Sequence, residues 1–565
     1  MKYNFRDVEL LHPYPLKGGE NEIKLIGIDS EAYVTGEPFL FCFSDGRSCH
    51  AKDIFGALFS GIYEGCKFVV WNLKYEQGAL FYFLPVETLQ TLREFGRATY
   101  GEYTISIIEN KEVKISYKHH ARYVYDVYPY YGSSLEAAAS CYLGKHKIKS
   151  TKKFRIGYVT KHIARITEYC TMDAQLTKEL GDLFVDNLHR LKLYPKKLIS
   201  TGYISAQHFT KIHNSNIYSF YYMYPDAVRF AFDSYSGGMF QVFKRGKGYF
   251  YQYDINSAYP SSIAKLKSLE GAEVIRSREI PRHADYGFLD CEMIISSQFS
   301  PVAVKVNNLN IYPQGYVRRI ITLSEYHYLK SQGNDIEVKD AWFISCQSGY
   351  PYKKEIERLY KLKSEYKGND DMQYLLIKIL LNSLYGKFLQ VTEIYDKNNI
   401  KHWRAGMLFN PIYASYITAL TRVKLCEAMD TAPDSVCAAH TDSIISDNPL
   451  TIPMSSDLGA WNFIEKGKGY IVGSGIYSIG GRVHFRGFDR EYNLDKMIRD
   501  ARKAKINITQ KMARTWRYAL FTHSDINVFE DDLKVLDLNF DNKRMWDAKF
   551  NKNKIGTSNP IILLK

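Results

Sequence analysis

No two of the nine cysteines are spaced C-x-x-C, and no apolar run approaches the ~18 residues of a membrane-crossing helix. The first absence, with the odd count, argues against a disulfide framework, so the thiols are expected to be reduced and the compartment cytoplasmic. The second argues against a membrane protein. The opening MKYNFRDVEL lacks the apolar core of a signal peptide. Repeats, long low-complexity tracts and flexible linkers are missing too, so the domains are expected to pack closely. Acids are in deficit: 61 Asp and Glu stand against 75 Lys and Arg, giving a net charge of +14 and a pI near 9.0. Such a surface favours polyanions, with nucleic acid the first candidate, although a plain basic soluble protein has the same balance. What is abundant is tyrosine, 46 of 565 residues. Tyr stacks on bases and also fills cores. The length suits about three or four domains at ~150 residues each.

The stretch CAAHTDSIIS, residues 437–446, reads as strand, tight turn and strand. It projects one carboxylate, Asp442, with His440 two residues earlier. A bare acid at the tip of an apolar hairpin is costly unless solvated, paired or bound to metal. A partner is offered by GYFYQYDINSAYPSSIAKL, residues 248–266. There an aromatic strand ends at Asp254, and a helix is expected from about Ser262, capped by Ser261. Asp254 reads either as chemistry at a strand end or as an acid in a structural turn. In KILLNSLYGKF, helical spacing aligns Lys378, Asn382 and Tyr385 on one face, and Gly386 ends or loosens the helix. Such a stripe suits a phosphate at one end and a flat base at the other. A solvated polar helix face has the same pattern.

Together these segments resemble the family B DNA polymerases: DINSAYP is similar to their motif A, KILLNSLYG to motif B and HTDS to motif C, in the family's order. YSGG at Tyr235–Gly238, with Gly237, narrows the resemblance to the small protein-primed enzymes of phages and linear plasmids. There a Y-x-G-G segment coordinates the exonuclease and polymerase actions on the primer strand. The resemblance implies a right-hand polymerase of palm, fingers and thumb, with Mg²⁺, two ions per active site, and Mn²⁺ as a substitute. Asp254 and Asp442 become the bridging acids on a three-stranded palm sheet, with the carbonyl of Ile255 as a further ligand. Tyr259 excludes the ribose 2′-hydroxyl. Lys378 holds the triphosphate, Asn382, Tyr385 and Gly386 shape the base-pair pocket, and Lys363 in YKLKSEYK is a second phosphate contact.

Upstream, IKLIGIDSEAY places Asp29 and Glu31 on one side of a strand. FVVWNLKYEQGALF supplies Asn72 and Glu76, and EYCTMDAQL puts Tyr169 and Asp173 at i and i+4 on a helix. The series resembles the family's 3′–5′ proofreading exonuclease, an RNase H-like domain. It implies a second two-metal site of Asp29, Glu31, Glu76 and Asp173, a water positioned by Tyr169, DNA contact at Asn72, and a lysine nearby. Lys145 in LGKHKI takes that last role, with Lys149 as rival.

Three positions depart from the family. Glu76 stands for Asp, and His440 stands for an Asp beside the catalytic acid, where it is expected to tune the site from outside the ligand set. Gly475 replaces the Lys of the Lys-x-Tyr motif that contacts the primer strand; Tyr477 is kept, and Arg486 is expected to return the charge. The expected fold is therefore α/β and α+β multidomain: exonuclease 1–190, palm 191–265, an inserted region resembling the first terminal-protein region 266–350, fingers 351–388, second palm part 389–495 and thumb 496–565. The second family insertion is reduced to one hairpin, QVTEIYDKNNIKHW, and residues 500–517 are cation-rich, suited either to duplex phosphates or to a solvated basic helix. The expected partners are template and primer DNA, dNTPs and a terminal priming protein, the chain acting as a monomer in the cytoplasm of a host cell. An oligonucleotide-primed relative and a catalytically impaired DNA-binding relative are the rival readings.

Overall fold

The structure is a computed structural model that describes residues 4–12, 23–148, 154–396, 398–488, 492–501, 504–513, 515–522 and 529–565, without the side chains of 510–513, 521–522 and 529–530. Lys149 lies outside the described residues. No helix among these residues is long and apolar enough to cross a membrane.

The N-terminal domain is an eight-stranded sheet. Its centre is three parallel strands, Leu25–Ala32, Lys67–Val70 and His120–Asp126. Their continuous apolar runs, LIGI and FVV, are buried on both faces, as parallel strands require. The helix Ile156–Arg190 crosses the strand Leu25–Ala32 at very close range. A Cβ on Gly27 would stand 1.9 Å from the carbonyl oxygen of Ala174. That absence of a side chain lets Asp173 approach the strand that carries Asp29.

Motifs A and C share a nine-stranded sheet, larger than the three strands expected. Lys244–Ile255 runs antiparallel to Ser443–Ser446 on one side and to Trp461–Gly473 on the other. Behind it lies the helix Pro411–Asp430, whose apolar length is buried almost throughout. Helices Lys353–Tyr366 and Asp371–Leu384 pack as a pair, the second starting at a cap in which Asp370 accepts the Gln373 N–H. Residues 273–345 form an antiparallel sheet of four strands with helix Leu323–Ser331. The expected second-insertion hairpin is present as Val391–Tyr395 and Lys401–Ala405, and Val8–Glu9 adds to it in parallel.

The stretch expected as a thumb divides in two. Lys505–Ala513 and Phe529–Asp537 make an antiparallel ribbon, so nine residues of the cationic stretch are strand rather than helix. Its period-2 apolar positions, Ile506 and Ile508, are buried. Helix Trp516–Thr522 at the ribbon's end docks on the N-terminal domain. Trp516 is 1% exposed, its ring 5.6 Å from that of Phe81, and Arg517 pairs with Glu109 at 2.9 Å. The chain then returns: Gly556–Asn559 pairs with Lys244–Arg245, and Ile562–Leu563 joins the inserted sheet beside Gln314.

Candidate active sites

The turn at Asp442 is built by backbone strain that its neighbours hold in place. Thr441 has φ +60°, and the Asp442 N–H donates to the His440 carbonyl at 2.6 Å. The Ile255 N–H donates to the Asp442 carbonyl at 2.9 Å, and Asp254 lies opposite Ser443 in the ladder. Two sequence-distant acids are thus placed at one strand end. Burial, then the Asp442 charge, pushes the Asp254 carboxyl up to about 7. Burial raises Asp442 to about 6. Paired acids with such raised values are the condition that a divalent cation relieves.

Ser257, at φ +48°, starts the helix Ala258–Ile263, four residues before the expected start; Ser261 bonds back to the Ala258 carbonyl rather than capping. Ser257 Oγ accepts from Lys363 Nζ at 2.8 Å, which sets that lysine beside motif A. Lys378 and Asn382 are exposed on the unburied side of their helix, and Tyr385 is half-buried, so the predicted stripe is real. Lys363 and Lys378 both act on Asp254, lowering its pKa against the burial. The helix ends at Leu384 and a 3₁₀ turn, Tyr385–Leu389, carries Gly386. The rings of Tyr385 and Tyr259 meet at 4.1 Å.

The Y-S-G-G segment touches this site directly. A Cβ on Gly238 would stand 2.6 Å from Tyr259 Oη and 2.9 Å from Thr441 Cγ2. Arg422, fully buried, donates to the carbonyls of Ser236 and Gly237 and pairs with Glu325 at 2.7 Å. Arg319 donates to the Tyr235 carbonyl at 3.2 Å and to Ser236 Oγ at 2.7 Å. Sequence reasoning missed Arg422, Glu325 and Arg319. The T-L-S-E capping box around Glu325, and a lone arginine in an apolar helix, were the available signals. Removing one partner leaves a buried charge alone, so Arg422→Ala or Glu325→Ala is expected to cost about 3–5 kcal/mol, read from urea unfolding against the wild type.

His440 is buried among Phe240, Tyr477 and Gly475. Its ring stacks on Tyr477 at 5.0 Å and 10°, and its Nε2 accepts weakly from the Gly475 N–H at 3.4 Å. Burial, then the neighbouring His484 and Lys543, lowers it to about 3, so it is neutral at physiological pH. Arg486 lies over Phe240 at 4.9 Å and its side chain fills the space beside Gly475, 3.1 Å from where a Cβ would stand. A second cation, unforeseen, joins it: Lys543 Nζ donates to the Phe240 carbonyl at 3.0 Å and to Ser474 Oγ at 3.3 Å. Tyr477 Oη accepts from Gln252 Nε2 at 3.2 Å. His440→Asn is therefore expected to keep measurable primer extension, within about 100-fold of wild type, as for changes beside a metal ligand. An inactive His440→Asn protein in that assay contradicts this placement.

In the N-terminal domain, Asp29, Glu31 and Asp173 converge. Burial, then the neighbouring carboxylates, raises Asp29 and Glu31 well above the usual range. Asp173 is 3% exposed; its Oδ2 pairs with Lys147 at 2.5 Å, while its Oδ1 has no partner among the described residues. Lys147 also lies over the Tyr169 ring at 5.3 Å. The lysine at this cluster is thus Lys147. Lys145 points elsewhere and pairs with Glu179 at 2.7 Å, because the irregular segment after Leu143 gives the two lysines different directions. Glu76 is buried, accepts from Ser30 Oγ at 2.6 Å, and is raised to about 8 by burial. Its longer side chain ends on the residue between the two strand acids. Asn72, at φ +71°, donates its N–H to Asp126, a buried acid that the sequence reading missed and that also receives the Tyr128 N–H.

Residues 100–402, more than half of the chain, match the family model described as DNA polymerase type B, organellar and viral. The chain belongs to this family. Among curated proteins, the DNA polymerase of Acidianus bottle-shaped virus is 26% identical over 287 residues, 47% of this chain and 41% of that protein. A probable DNA polymerase of Ascobolus immersus is 26% identical over 242 residues, 40% of this chain and 19% of that protein. The chain thus spans less than half of the length of these two relatives. Among solved structures, Phi29 DNA polymerase with primer–template DNA and incoming nucleotide superposes with a TM-score of 0.64 at 15% identity, covering 92% of this chain and all of that one. Its post-translocation binary complex gives 0.65 over 91%. At this identity the likeness establishes the shared fold of the type B chain.

Proposed function

We propose that the chain is a template-directed DNA polymerase with a separate 3′–5′ exonuclease site. The observation that carries the reading is the joining of Asp254 and Asp442 at one strand end, beside Lys363 and Lys378, in a chain of this family. When bound at such acids, divalent cations of the Mg²⁺ type, with Mn²⁺ as a substitute, activate the attacking oxygen and neutralise phosphate charge. Asp254, Asp442 and the Ile255 carbonyl are the groups to hold them. Lys363 and Lys378 receive the triphosphate, Asn382, Tyr385 and Gly386 border the new base pair, and Tyr259 lies under the sugar. Tyr235, Gly237 and Gly238, with Tyr477, Arg486 and Lys543, lie where primer and template approach. At the N-terminal site Asp29, Glu31, Glu76 and Asp173 hold the ions, Tyr169 and Lys147 orient the attacking water, and Asn72 lies beside the DNA end.

Primer extension with and without Mg²⁺ tests the reading; a terminal priming protein is tested by omitting any oligonucleotide. The single small hairpin at Val391–Ala405 favours the oligonucleotide-primed alternative, because the region that enlarges in protein-primed relatives is short here. Tyr259, 7% exposed with its ring 4.1 Å from that of Tyr385, is expected to set sugar choice. Tyr259→Val should raise ribonucleotide incorporation relative to dNTPs by about 10–100-fold, the range for adding room in a tight pocket. Unchanged discrimination places the gate elsewhere.

A further inference from the structure

Cys170 lies between the two functional residues of its helix, Tyr169 and Asp173, and takes no part in the reading above. It is fully buried, and its Sγ donates to the Asp29 carbonyl at 3.4 Å. Its Sγ, a carboxylate oxygen of Asp29 and one of Glu31 all lie within 4.8 Å of one another. Ligands on one tetrahedral Zn²⁺, with Zn–S about 2.3 Å and Zn–O about 2.1 Å, stand about 3.6 Å apart, so a small contraction closes the set. The Asp173 Oδ1, buried and without a partner among the described residues, belongs to the same acid cluster. Cys42 lies opposite Asp29 in the ladder and its Sγ donates to the Thr167 carbonyl at 3.7 Å, but it is not in the convergent set.

We propose that Asp29, Glu31 and Cys170 form a site for a thiophilic divalent cation, Zn²⁺ or Cd²⁺, whose binding arrests the N-terminal site. A cluster meant for Mg²⁺ alone offers oxygen, because that ion is hard and keeps its water. Thiolate selects softer ions. On binding, the Cys170 thiol loses its proton to solvent and the sulfur bonds the metal, while the carboxylates lose any proton they hold. The ion then occupies the acids that the nuclease reaction uses and draws them toward sulfur. The arrest rests on the nuclease reading; the binding does not.

The test adds Cd²⁺ alone to the full chain and follows the ultraviolet charge-transfer band of a cadmium–thiolate bond. The wild type is expected to show one tight equivalent that Cys170→Ala and Cys170→Ser weaken at least tenfold, that Glu31→Gln also weakens, and that Cys42→Ala retains. Binding as tight as the wild type's in both Cys170 variants overturns the proposal, as does loss on Cys42→Ala alone. In a second arm, Zn²⁺ is added to Mg²⁺-supported degradation of a single-stranded 3′ end. Half-inhibition of the wild type is expected at a Zn²⁺ concentration at least tenfold below that for Cys170→Ser, and equal concentrations contradict the arrest. A wild type that degrades nothing in Mg²⁺ overturns the nuclease reading, while the cadmium band still decides the site.

Discussion

Asparagine at Asp254 or Asp442 is expected to lower dNTP incorporation by about a thousandfold or more while duplex binding stays near wild type. The two acids are buried at one strand end, tied by the hydrogen bond from Ile255 to Asp442, and each holds its proton above the ordinary range. Asn keeps the shape and removes the charge. Several kcal/mol of stabilisation by the metal then disappears from the transition state, which is the thousandfold. Binding rests instead on dispersed cations over a chain of net charge +14, so its salt dependence should hardly change. Single-turnover incorporation and a filter-binding titration on the same preparations measure both. Near-normal incorporation by either variant removes the pair from the chemistry.

The second large effect separates the two sites. Asp29→Ala with Glu31→Ala should reduce degradation of single-stranded 3′ ends by about a thousandfold or more, by the same loss of metal-held charge. Extension should stay within about threefold, because distant sites contribute independently. The geometry makes the pair decisive: both sit on the strand Leu25–Ala32, which Gly27 allows to lie against the helix of Asp173. Nuclease activity that survives this double substitution places hydrolysis elsewhere in the chain.

Most of the placement in each candidate site was legible because the residues sit at strand ends or on one helix face, where a short stretch fixes direction. Asp29 and Glu31 follow from alternation, and Lys378, Asn382 and Tyr385 from the helical repeat. The errors fall where no period operates. Lys145 and Lys147 lie in a segment without regular structure, so sequence could not say which one turns to Asp173. Arg422 and Glu325 are 97 residues apart, and their meeting beneath the Y-S-G-G segment is a tertiary event. The helix expected at Ser262 begins at Ala258 because Ser257 takes a left-handed conformation, which Ser261 and Ser262 gave no sign of. The helical alternative for the cationic stretch fails after Ala504, where the alternating Ile506 and Ile508 carry the strand period. Lys543 reaches Phe240 only because the chain doubles back from its C-terminal region to the central sheet.

Template direction is read from four primer–templates that differ only in the first unpaired template base, each offered the four dNTPs singly in Mg²⁺. Extension by the complementary dNTP alone is expected in each case, abolished by EDTA and by Asp442→Asn. Extension by the same dNTP on all four templates, by none, or undiminished in Asp442→Asn contradicts the polymerase reading.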